Sequence, residues 1–110
     1  MKITKENVQS VIREAQCAAN SAAREYLADY GEGMLNCGFA WVTIKPNRGI
    51  LCNTLKEMKL GSAGWNGGLC VWNPSGVPVQ DMSVLYAGAL AFEDVLRKYG
   101  VNAQADCRLD

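Results

Sequence analysis

The chain has 110 residues, 49% of them apolar and 20% charged, with 11 basic side chains balanced by 11 acidic ones and no histidine. That length fits one domain with one core, the composition is too apolar for a disordered chain, and a formal net charge of +0 gives no general attraction for nucleic acid or an anionic membrane. Without histidine, Cys-His and Ser-His nucleophile pairs and mixed Cys/His zinc sites are excluded.

Thr4 reads as a helix N-cap, with Ile3 and Val8 placed to form a hydrophobic staple. Behind it Val8, Val11, Ile12, Ala15, Ala19, Ala22, Tyr26 and Tyr30 recur at helical spacing, which predicts a first helix over about 5–29, stopped by Gly31 and Gly33. The small side chains of CAANSAA let another element approach closely, either a helix of this chain or a second copy. Arg13, Gln16, Asn20 and Arg24 form a polar stripe, a solvated face or an anion-facing wall.

CGFAWVTI (37–44) is aromatic and β-branched and ends before Pro46, so a strand is expected, with Trp41 in the core or at an interface. Residues 48–60 predict a short helix burying Ile50, Leu51, Leu55 and Met58. The glycine-rich GSAGWNGG follows. It lacks the lysine and hydroxyl of a P-loop and precedes a strand, so it reads as a connector or as the lip of a binding site. GLCVW and VPVQ then flank Asn73-Pro74-Ser75-Gly76, a turn sequence, which predicts a short hairpin with Pro78 on an edge arm and Trp72 in the core or at an interface.

Asp81 or Ser83 can cap a third helix whose seam is Leu85, Ala89, Phe92, Leu96 and Tyr99, with Gly100 as its stop. VNAQADCRLD alternates strictly, which predicts a half-buried strand with Asn102, Gln104, Asp106, Arg108 and Asp110 on its polar face. The whole reads as one domain over 1–110, of α/β or α+β class. A small three- to four-stranded sheet is packed by three helices in the order α-β-α-β(β)-α-β, and the helical connections favour parallel pairing.

No apolar run approaches the roughly 18 to 20 residues that span a bilayer, and MKITKENVQ lacks the apolar core of a signal peptide, so a cytoplasmic protein is expected. The five cysteines are odd in number and include no C-x-x-C, which fits a reducing compartment and thiols that pack as small hydrophobes. No catalytic residues, metal ligands or cofactor are expected. The candidate ligand set is Trp65 and Asn66 for a planar ring, the Gly67 and Gly68 N–H groups with Arg108 and Arg48 or Lys45 for phosphate, and Gln104 or Asp106 for a sugar hydroxyl. Arg108 could equally be neutralised between Asp106 and Asp110. Trp41, Trp72 or Tyr30 in an exposed apolar patch would instead mark a protein-binding surface.

Gly38-Phe39-Ala40-Trp41-Val42, Gly67-Gly68, Trp72-Asn73-Pro74-Ser75, Gln80, Ala87-Gly88-Ala89, Val95-Leu96 and the terminal Arg108-Leu109-Asp110 form spaced blocks. The pattern resembles a group of small proteins encoded in tailed-bacteriophage genomes, over roughly residues 36–110. The resemblance implies a setting, the host cytosol, and no activity or catalytic residues. In that setting three roles stay open: binding a small nucleotide-like anion, including a host-defence signal; blocking a host protein; or, third, a minor enzyme. Self-association is expected, nucleic acid and membrane partners are not.

Overall fold

The computed structural model describes residues 2–33, 36–64 and 66–110, so the expectation placed on Trp65 lies outside the described residues. In chain order the elements are α1 (Val8–Tyr30), β1 (Gly38–Ile44), α2 (Ile50–Glu57), β2 (Ser62–Ala63), β3 (Leu69–Trp72), α3 (Met82–Lys98) and β4 (Ala103–Leu109). This is an α+β fold in the expected order of elements.

Thr4 and Asn7 cap the first helix reciprocally. The Thr4 N–H donates to Asn7 Oδ1 at 2.7 Å and the Asn7 N–H to Thr4 Oγ1 at 3.2 Å, with one turn formed before α1 proper. Val8, Val11, Ile12, Ala15, Ala19 and Ala23 are its buried face, with Ala23 in place of the expected Ala22, while Tyr30 is 73% exposed with its ring against that of Tyr26. The small side chains serve α3 of the same chain. A Cβ on Gly88 would stand 2.6 Å from Ser75 Cβ and 3.1 Å from the Ala19 carbonyl oxygen, so the two helices meet too closely there for any side chain.

Asp81 caps α3 by accepting from the Ser83 and Val84 N–H groups, and Val84, Leu85, Gly88, Ala89, Phe92 and Leu96 are buried along it. Its other oxygen, Oδ2, accepts from the Gly33 N–H, and Asn36 Nδ2 donates to the capping Oδ1, so one buried carboxylate ties the approach to β1 onto the start of α3. Burial pushes the Asp81 carboxyl up, but the hydrogen bonds from Gly33, Asn36, Ser83 and Val84 outweigh it and hold the group below its ordinary value. On α2 the buried residues are Leu51, Cys52, Thr54 and Leu55, whereas Ile50 and Met58 stay exposed. The Thr54 hydroxyl donates to the Ile50 carbonyl, which lets a polar side chain take a core-facing position.

The sheet order is β2-β3-β1-β4 and every neighbouring pair is antiparallel, which corrects the expected parallel pairing. The helical connections do join strands of like direction, β1 to β2 and β3 to β4. In each case, however, a third strand lies between them, so no two parallel strands touch. From β1 to β4 this is the connectivity and pairing of a split β-α-β unit, with α1 added in front. The expected second hairpin arm at VPVQ is not a strand. It makes way for a hairpin on its other side: β2 pairs with β3 through Ser62↔Cys70 and Ala63↔Leu69, and the Gly64 N–H donates to the Gly68 carbonyl where the two strands join. The Asn73–Gly76 turn closes on its own side chains instead, Ser75 Oγ donating to Asn73 Oδ1 at 2.8 Å and accepting from the Val77 N–H.

Period-two alternation sorts the two sheet faces. Ala40, Val42 and Ile44 of β1, Leu69 and Val71 of β3, and Ala103 and Ala105 of β4 join Ile12, Leu55, Phe92 and Leu96 in the core. The helices cover that face. β4 is the long edge strand, and α3 side chains occupy part of its free margin: Glu93 accepts from the Ala105 N–H at 2.7 Å and Arg97 Nε donates to the Ala103 carbonyl at 2.9 Å.

Candidate functional site

The opposite sheet face follows from the same alternation. Phe39, Trp41 and Thr43 of β1 turn away from the helices, and the register sets Arg108, Asp106 and Gln104 of β4 beside them in that order. On the other side of β1, Trp72 pairs with Trp41 and Cys70 with Thr43. Two central strands therefore supply an aromatic patch to the uncovered face. The Trp41 and Trp72 ring centroids are 5.0 Å apart, and Phe39 meets Trp72 edge-on at 6.3 Å. Trp72 is 52% exposed and Phe39 40%, while Trp41 is half-buried between them. Of the two placements the sequence leaves open for Trp41 and Trp72, core or interface, the core is excluded, because β1 fills its inward positions with Ala40, Val42 and Ile44.

Two clefts open on this face. One, of about 430 Å³, lies over β1, β3 and β2 and is lined by Trp41, Trp72, Cys70, Ala63, Gly64 and Arg108 among others. The second, of about 300 Å³, lies over β1 and β4 and is lined by Trp41, Lys45, Asn102, Gln104 and Asp106. Thr43 and Asn66 border both.

The sequence-derived set is gathered here in large part. Asn66, Lys45, Gln104, Asp106 and Arg108 all line one cleft or the other. Arg48 is exposed and lines neither. The glycine N–H groups are engaged inside the hairpin turn: Gly64 donates to Gly68 O, Gly67 to Gly64 O, and Gly68 to Asn66 Oδ1. Gly68 also packs so tightly on β1 that a Cβ would stand 2.7 Å from Thr43 Cγ2. Its role is to hold the turn against the strand. Phe39, Trp41, Thr43, Cys70, Trp72 and Asn102 complete the face, and the signal for most of them is the alternation of β1 and its pairing with β3.

Arg108 makes no ion pair among the described residues. Its guanidinium carbon sits 5.8 Å from the Phe39 ring centroid, a cation–π contact that holds the charge at the rim of the aromatic cleft. Asp106 accepts from the Cys107 N–H through Oδ1 at 2.9 Å. Burial pushes the Cys70 thiol up, and burial with the Asp106 charge does the same to Cys107, so these sulfurs stay protonated and poorly nucleophilic near neutral pH. Among the described residues no group of three or more Cys, Asp or Glu side chains is placed to hold a metal ion.

A larger cavity, about 620 Å³, lies elsewhere, between α1 and the 59–62 and 73–76 segments. Gln16 and Asn20 of the α1 polar stripe border it, and Asn20 is used structurally. Asn20 Nδ2 donates to the Ser75 carbonyl at 3.0 Å and Arg24 Nε to Asn20 Oδ1 at 2.9 Å. That leaves the open sheet face as the surface on which aromatic, amide and charged groups converge. No described helix is long and apolar enough to cross a membrane. Comparison of the chain with family models, with curated proteins and with solved structures gives no match.

Proposed function

We propose that the protein is a non-enzymatic binding module whose open sheet face takes a small anionic, nucleotide-like ligand. In the phage setting suggested by the sequence blocks, it would act in the host cytosol by sequestering such a ligand, for example a host-defence signal. One observation carries the reading: Phe39, Trp41 and Trp72 share the uncovered face with Asn66, Gln104, Asp106, Arg108 and Lys45. Aromatic faces stack on planar rings, amides and a carboxylate match base edges and sugar hydroxyls, and the two cations match phosphate. The absence of histidine removes Cys-His and Ser-His nucleophile pairs.

The test is a thermal-shift and calorimetric screen against mononucleotides and cyclic dinucleotides. A binder should raise the melting temperature, and Trp72→Ala should weaken it by about tenfold or more, since stacking of one base contributes roughly 1–3 kcal/mol. Trp72 is half exposed, so the unliganded melting temperature should change little. No ligand-induced shift, or a shift indifferent to Trp72, counts against the reading.

The exposure of Trp72 and Phe39 also favours a second reading, a host protein seated on the aromatic patch. That partner would be captured at one-to-one stoichiometry by the wild-type chain and lost with Trp72→Ala, with no nucleotide effect on melting.

A further inference from the structure

This inference rests on the nucleotide reading and narrows it to a ligand size. We propose that the open face binds two linked nucleotides, with one base on each side of Trp41.

The geometry is double. The clefts of about 430 and 300 Å³ share Trp41, Thr43 and Asn66, and lie on opposite sides of β1, one toward β3 and the other toward β4. Each sits near the lower end of the roughly 300–1,000 Å³ spanned by small-molecule sites, room for a single nucleoside-sized body. Trp41 is the ridge between them, and its partner Trp72 makes a wall of the larger cleft. The smaller cleft has amides and a carboxylate, Asn102, Gln104 and Asp106, suited to a base edge or a ribose hydroxyl.

The cations are also divided, one to each cleft. Arg108 stands opposite Phe39, whereas Lys45 continues the ladder six residues further along β1, its N–H donating to the Asn102 carbonyl. At roughly 3.4 Å per residue their backbones are about 20 Å apart, too far to share one phosphate comfortably. A mononucleotide would leave one cleft and one cation idle. A longer polyanion, conversely, finds only these two positive charges on the face, offset in part by Asp106. Two nucleotides, with a phosphate toward each end, match the count of clefts and of cations. Such a unit can be a free dinucleotide or one step within a single strand.

Isothermal titration of the full chain with adenosine 5′-monophosphate, the 5′-phosphorylated linear dinucleotide pApA and octaadenylate tests the idea. The expected result is pApA binding at least about tenfold tighter than the mononucleotide. Lys45→Ala and Arg108→Ala should each weaken pApA several-fold, and both side chains are exposed, so the fold is retained. Octaadenylate no tighter than pApA identifies the free dinucleotide as the source, and much tighter binding that falls with salt identifies the strand. Equal affinity for mononucleotide and pApA overturns the two-nucleotide inference and leaves the nucleotide reading standing. No binding by any of the three sinks the nucleotide reading, and this inference with it.

Discussion

Gly88 shows how one missing methyl sets the packing of this molecule. In an exposed helix, Gly→Ala raises stability by about 1 kcal/mol through propensity alone. Here the new Cβ would lie 2.6 Å from Ser75 Cβ and 3.1 Å from a backbone oxygen of α1, and overpacking of that kind costs roughly 1–3 kcal/mol. Gly88→Ala should therefore lower stability in urea denaturation, the opposite sign to a surface helix, and adding Ser75→Gly should recover part of the loss. Asp81 is the second residue whose environment fixes its role. Its carboxylate accepts from Gly33, Asn36, Ser83 and Val84, so Asp81→Ala removes a cap and strands several donors, a loss of about 2 kcal/mol at pH 7. Because its folded pKa lies below the unfolded value of about 3.9, the contribution is complete above that pH and disappears as pH falls through the folded value. Wild type and variant should thus differ in denaturation midpoint at pH 7, and the difference should narrow as pH falls below the unfolded value.

Among the elements, those with long periodic patterns are legible from the chain. The α3 seam, the alternation of β4 from Ala103 to Cys107 and the Thr4 cap are local signals, and each holds in the structure. Pairing is another matter, because it is decided by contacts distant in sequence. A helical connection between strands fixes their relative direction, but says nothing about a strand inserted between them. β3 and β1 are the inserted strands here, and every contact becomes antiparallel. β2 is only two residues long, too short to give a period, so its hairpin with β3 is hidden inside a glycine run whose composition suggests only a turn. The candidate site was partly readable for the same reason. Gln104, Asp106 and Arg108 declare their face by alternation, and Asn66 by its turn. Trp41 and Trp72 looked like core residues because aromatic bulk in a strand usually is buried. Reading Ala40, Val42 and Ile44 as the inward set would have placed the aromatics outside.

For the whole molecule, the arrangement is a sheet with its helices on one side and its exposed aromatic, amide and charged groups on the other. The small-residue stripe of α1, one of the features that suggested self-association, is consumed by α3 within the chain. At the β4 margin Glu93 and Arg97 bond the Ala105 N–H and the Ala103 carbonyl and so occupy part of the free edge. Replacing both with alanine should expose these groups and increase concentration-dependent association, measured by light scattering or sedimentation, with the aromatic face and its ligand affinity unchanged.

That pair has a wider meaning for a module that keeps tryptophan and phenylalanine in contact with water. A bare aromatic surface beside an unguarded strand border would invite fibril growth, each protomer templating the next. With the first half of that border already satisfied by side chains, exposed stickiness is confined to the sheet face turned away from the helices.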